Sequence, residues 1–138
     1  MIPFEHEART DDVVVRVGSA FLENQSDPRI PRFTWAYRIG IENIGTFPIK
    51  LISRHWVIVD GNGHREDVKG EGVVGEQPLI GPGMNHQYMS GCPLPTSSGM
   101  MVGDYEMMDV SEKGYGRMFP VDVPAFRLES PQSLRTKR

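Results

Sequence analysis

Apolar residues recur at every second position along much of this chain, the period of a strand with one buried face. Val13, Val15 and Val17 alternate with Asp12, Arg16 and Gly18, which predicts a first strand over about 12–22. Phe33, Trp35, Tyr37, Ile39 and Ile41 alternate with Thr34, Ala36, Arg38, Gly40 and Glu42. This run predicts a strand with one apolar and one largely polar face. A third strand is expected from Ile49 to Val59. Its pattern changes phase, because Ile49 and Leu51 are odd-numbered while Trp56 and Ile58 are even. A β-bulge near Ser53-Arg54 accounts for the slip. Asp60-Gly61-Asn62-Gly63 reads as a hairpin turn, since these residues accept positive φ cheaply. A strand over about 64–69 follows.

Beyond it, His86, Tyr88 and Ser90 alternate with Gln87 and Met89 in a polar strand, and the stretch from Pro93 to Gly99 reads as a loop. Met101, Gly103, Tyr105 and Met107 alternate with Val102, Asp104, Glu106 and Met108. After a turn at Ser111–Gly114, a last strand carries Tyr115, Phe119, Val121 and Val123 and ends near Pro124–Leu128. Glycine and proline break the chain so often that long helices have no room. About seven or eight short antiparallel strands in one domain predict an all-β sandwich of the immunoglobulin-like or fibronectin type III-like kind. With one cysteine, Cys92, no intrachain disulfide can form, and the fibronectin-like variant fits better.

Composition narrows the function classes. The 138 residues carry a net charge of −3 and are 38% hydrophobic and 24% charged, which suits a single globular domain spanning 1–138. No basic footprint suggests nucleic acid, and no apolar run is long enough to cross a membrane as a helix. The segment Met1–Glu7 lacks the basic start and apolar stretch of a secretory signal, so a cytoplasmic protein is expected. The polar, basic stretch 129–138 reads as a flexible tail.

Three glycines, Gly70, Gly72 and Gly75, have the spacing G-x-G-x-x-G. In a dinucleotide site that spacing joins a buried strand to a helix whose N-terminus holds the pyrophosphate. Here the lead-in Glu66-Asp67-Val68-Lys69 is polar, and Pro78, Gly81, Pro82 and Gly83 leave no space for a helix. The glycines read instead as tight turning at the end of a sheet. Their N–H groups could still form an anion nest, although Glu71 and Glu76 would repel the anion.

The histidines form no H-x-H or H-E-x-x-H pair. His64 and Glu66 share a strand face while Asp67 points away, a weak basis for a metal site. Cys92 has no neighbouring base in sequence. Met100, Met101, Met107 and Met108 fall on both faces of one strand. They fill a core on one side and, on the other, offer a contact surface. Neither a catalytic set, a bound metal nor a cofactor is expected.

Several stretches together resemble the ApaG family of bacteria, a domain of unknown function. They are Tyr37-Arg38-Ile39, Ile41-Glu42-Asn43, Leu51 to Ile58 with Ser53-Arg54-His55-Trp56 at its centre, Val68 to Pro78 with Gly72-Val73-Val74-Gly75-Glu76-Gln77-Pro78, Pro82-Gly83, Tyr88 to Gly91, Met100 to Tyr105 and Val121 to Leu128. The resemblance covers about 10–130 and implies a fibronectin-type sandwich that acts as a binding module. Related domains occur in eukaryotic F-box proteins and in a DNA-polymerase-associated protein. The resemblance also implies a link to cobalt resistance and magnesium efflux, with no catalytic residues to carry over.

The candidate ligand- or partner-binding residues are therefore Arg54, His55, Trp56, Gly70, Gly72, Gly75, Glu76 and Gln77. Either Arg54 and His55 recognise a ligand, or they bond carbonyls of the glycine loop and brace it. The first reading is a protein-binding module, its partner a second protein or a second copy meeting an edge strand. The alternative is a binder of phosphate, pyrophosphate or nucleotide on the Gly70–Gly75 loop.

Overall fold

A computed structural model describes residues 1–27, 29–114 and 116–131. Among these, nine strands run in the order β1 (His6–Thr10), β2 (Val13–Phe21), β3 (Phe33–Asn43), β4 (Ile49–Asp60), β5 (Arg65–Glu71), β6 (Leu79–Ile80), β7 (Asn85–Leu94), β8 (Ser98–Asp109) and β9 (Met118–Glu129). They form two antiparallel sheets, β1-β2-β3-β7 and β5-β4-β8-β9, with the short β6 continuing the β4 edge beyond β5. The chain is thus an all-β sandwich. The expected strands are present. β1 and β6 are additional; they carry almost no alternation because one is an exposed edge and the other is two residues long.

The odd-numbered residues of β2 and β3, from Val13 to Ile41, face the core. From the other sheet come Ile49, Leu51, Trp56, Met101, Tyr105, Met107 and Phe126. Tyr37, Trp56 and Phe126 pack edge-on or tilted across the two layers with ring centroids 5.6–6.1 Å apart. The phase change in β4 is a bulge at Ile52, where the pairing with β8 jumps from Leu51 to Ser53. This lies one residue from its expected place.

Both faces of β3 are covered, the largely polar one as well as the apolar one. Thr34 and Ala36 are buried. The N-terminal residues cross that face, with the Phe4 ring 4.1 Å below the Arg38 guanidinium. A Cβ on Gly18 would lie 1.8 Å from the Pro3 carbonyl oxygen, and one on Gly40 would lie 2.9 Å from the Phe4 ring. Glycine at these two positions lets the N-terminal segment lie flat on the sheet.

The expected tail from 129 needs correcting. β9 extends through Glu129, and buried Ser130 donates from Oγ to the Ser97 carbonyl at 2.7 Å. Residues 132–138 of that tail, and Tyr115 of the expected last strand, lie outside the described residues.

The two long sides of the sandwich differ. On one, β9 packs on β1 and β2. Asp122 N–H donates to Thr10 Oγ1 at 3.0 Å, and Trp35 Nε1–H donates to the Glu129 carbonyl at 2.9 Å. The other side, between β5 and β7, is open.

Asn43 joins the layers at one end. Its Nδ2 donates to the carbonyls of Phe47 and Ile80 at 2.9 and 3.0 Å, and its Oδ1 accepts from Gly45 N–H at 2.9 Å. Asn43→Ala removes the donor to both carbonyls and the acceptor for Gly45 N–H, and we expect a loss of about 2–4 kcal/mol in urea unfolding. An unchanged midpoint would show that these bonds add nothing to stability.

Candidate functional site

After β5 leaves the edge of β4 and before β6 joins it, the chain forms a hairpin over residues 71–78. Val73 and Glu76 exchange N–H···O bonds of 2.8 and 3.0 Å across the two-residue turn Val74-Gly75. Both turn residues have positive φ, 48° and 77°, the twist that suits a tight hairpin. Asn or Gly usually fills such positions, so a branched residue here is strained. Val74 is nevertheless 62% exposed, whereas Val73 beside it is buried in the core.

Each glycine of the G-x-G-x-x-G spacing meets a separate need. Gly70 makes room for the Arg54 guanidinium, whose atoms lie 3.0 Å from where a Cβ would be. Gly72 has a φ of +63°, and a Cβ there would sit 2.1 Å from the Glu76 carbonyl oxygen. Gly75 completes the turn. No helix follows. The N–H groups of Gly72, Val73 and Glu76 already donate to the carbonyls of Ile52, Glu76 and Val73. These three donors are therefore spent within the hairpin and on the β4 bulge.

The structure separates the signature residues. Arg54 Nη1 donates to the carbonyls of Glu71 and Gly72 at 3.0 and 2.9 Å. Gln77 Nε2 donates to the Ile52 carbonyl at 2.9 Å, and that oxygen also accepts Gly72 N–H at 2.8 Å. Arg54 and Gln77 thus brace the hairpin against the bulge. His55 does not share this work. It lies on the outer face, its Nε2 2.8 Å from Asp67 Oδ2, while Arg65 grips the same carboxylate. The hydrogen bonds from Arg65 and then His55 hold the Asp67 carboxyl well below its ordinary range. Trp56, 3% exposed, belongs to the core. Glu76 reaches from the hairpin across to β7, 4.0 Å from His86.

A cleft of about 430 Å³ lies on the open side of the sandwich. Even-numbered side chains of three strands line it: Arg54, Trp56 and Ile58 of β4, Glu66 and Val68 of β5, and Ser90, Cys92 and Leu94 of β7. Of the eight residues singled out from the sequence, only Arg54 and Trp56 reach it. The β7 contributors escape sequence reasoning because that strand reads as polar and its end as a loop. His64 lines the cleft with Glu66 while Asp67 faces away, as strand parity requires. Among the described residues, no group of three or more His, Cys, Asp or Glu side chains is placed to hold a metal ion. Burial, with Glu66 adding to it, pushes the Cys92 thiol up to about 11, so it is a protonated, inert group near neutrality. The Tyr88 and Tyr105 hydroxyls bond each other at 2.5 Å between the sheets, and burial raises both.

Three outcomes follow from this geometry. Gly72→Val should lower stability by about 1–3 kcal/mol or more, since the backbone is left-handed and the site is blocked. Val74→Asn should raise it by up to about 1 kcal/mol by relieving a left-handed branched residue; urea midpoints of both variants decide. Below an ordinary carboxyl value of 3.8, an unfolded Asp67 takes up a proton that the folded one refuses. Its stabilising contribution is thus present above about pH 4 and lost as pH falls further. Asp67→Asn should flatten the acid limb of the stability–pH curve, and an unchanged limb would count against the pairing.

Comparison with known proteins agrees with this architecture. The family model described as ApaG domain, a domain of unknown function, matches residues 23–109. The chain is 48% identical to Protein ApaG of Rhizobium leguminosarum bv. trifolii over 130 residues, covering 94% of this chain and 97% of that one. It is likewise 48% identical to Protein ApaG of Brucella anthropi over 131 residues, covering 95% and 98%. The crystal structure of a Bordetella pertussis protein designated ApaA superposes with a TM-score of 0.81 at 39% identity, covering 94% of this chain and 99% of that chain. By sequence and by fold, this chain belongs to the ApaG domain family.

Proposed function

We propose that the protein is a non-enzymatic binding module that takes an extended segment of a partner protein into the cleft, as an added strand along β7. The observation that carries this reading is the unpaired edge of β7 beside an apolar floor. Among the described residues, β7 pairs only with β3, and β5 only with β4. Pro93 pairs with Thr34 in β7, and its nitrogen has no hydrogen to give, so it must point away from β3. By alternation, the N–H and C=O groups of Asn85, Gln87, Met89 and Gly91 also face the free edge. An incoming strand would bond these groups and cover the half-buried side chains of Ile58 and Val68.

A module of this kind acts through what it binds. The cobalt-resistance and magnesium-efflux traits implied by the resemblance would then be exerted through a partner, not through metal held by this chain. Among the described residues, no helix is long and apolar enough to cross a membrane. A second copy meeting the β7 edge is the competing occupant, and the charged residues of β5 disfavour it.

The test is to select linear peptides by display and map their binding on isotope-labelled protein by NMR. Binders should shift the amides of Asn85, Gln87, Met89 and Gly91. Met89→Pro removes a free-edge N–H without breaking a bond to β3, so it should abolish binding and leave the remaining spectrum intact. Binders that map to the outer face of β4 and β8, or that ignore Met89→Pro, would overturn the proposal.

A further inference from the structure

We infer that the cleft selects a segment carrying an acidic and a basic side chain four residues apart, with an apolar residue midway. This rests on the reading of the cleft as a strand-binding groove and adds its specificity. The pairing of β4 with β5 sets the spacing. Arg54 lies opposite Gly70, Trp56 opposite Val68, and Ile58 opposite Glu66. From Gly70 to Glu66 is four residues, about 13 Å in a strand. Alternate side chains of an added strand point into the cleft, so its positions i, i+2 and i+4 meet these three levels in turn.

The levels differ in charge. At the hairpin end, Arg54 spends Nη1 on the two loop carbonyls. Among the described residues, its Nε and Nη2 donate to nothing and no carboxylate lies within ion-pair distance. The brace fixes the guanidinium and leaves one edge open beside Tyr37 and Ser90. A planar donor edge held in that way matches a carboxylate. The middle level is apolar, formed by Trp56, Val68 and Met101. At the far level Glu66 is exposed and, among the described residues, forms no ion pair with any cation. Asp60 lines the same end, but its Oδ1 is occupied by the N–H groups of Asn62 and His64. Glu66 is therefore the side chain available to a lysine or arginine of the segment, with His64 beyond it at the rim. Burying an unmatched charge opposite Arg54 or Glu66 is the cost that rejects other segments.

The experiment uses nine-residue synthetic peptides built on Glu-Thr-Val-Thr-Lys and on its reverse, Lys-Thr-Val-Thr-Glu. The control has the same composition with Val at one end of the five-residue unit. One of the two matched orders should bind at least tenfold more tightly than the control and shift the Met89 and Gly91 amides. Glu66→Lys, at an exposed position that braces nothing, should weaken that peptide about tenfold. Replacing the peptide's lysine by glutamate should restore binding to Glu66→Lys. Equal binding of matched and control peptides, or a Glu66→Lys variant with unchanged preference, overturns the charge rule while the β7 amides still report an occupied edge. No shift of those amides with any peptide up to millimolar concentration overturns both readings. Shifts produced by unlabelled protein alone would assign the edge to a second copy and also overturn both.

Discussion

The Ile52 carbonyl, at the bulge of β4, is the point around which the site is organised. A strand edge that loses its neighbour must find other partners for its backbone groups. β5 departs at Glu71 and β6 arrives at Leu79, and between them the hairpin supplies what is missing. Gly72 N–H and Gln77 Nε2 both reach Ile52 O, and Leu51 N–H finds the Pro78 carbonyl. Arg54 then ties down the two carbonyls at the hairpin base. This arrangement explains why Ser53-Arg54-His55-Trp56 and the glycine-rich stretch belong together in one sequence. Each completes the hydrogen bonding of the other, and only afterwards does one edge of Arg54 remain for anything else.

Alternation located β2, β3, β4 and β8, because each has one face against a continuous core. The phase slip in β4 disclosed the bulge, since a bulge is a change of parity. β7 was half legible. Its inner face holds Tyr88, Ser90 and Cys92, polar or small residues of which Ser90 and Cys92 border the cleft, so the usual contrast between faces is missing. Its last residues looked like a loop because of Pro93, which an edge strand tolerates when the nitrogen points outward.

Proximity in sequence also misled. Arg54, His55 and Trp56 are consecutive, yet a strand sends neighbours to opposite faces. Arg54 and Trp56 face the cleft and core, while His55 is outside with Asp67 and Arg65. The glycine spacing misled in a different way. It matches a nucleotide fingerprint, but here it records a guanidinium stacked on Gly70, a close carbonyl at Gly72 and a left-handed turn residue at Gly75. Spacing alone cannot distinguish these needs from phosphate binding, because backbone freedom is the common requirement.

The chain has two tryptophans, both buried, and only Trp56 borders the cleft. Trp35 is buried on the closed side, its indole N–H held by the Glu129 carbonyl. Trp56 forms part of the cleft floor, edge-on to Tyr37 and Phe126. Indole emission responds to the polarity of its immediate surroundings. An occupant of the cleft lies against one indole and away from the other, so a change in emission on binding would report on Trp56, with Trp35 as the internal standard. The protein carries its own optical gauge of occupancy, with no label attached.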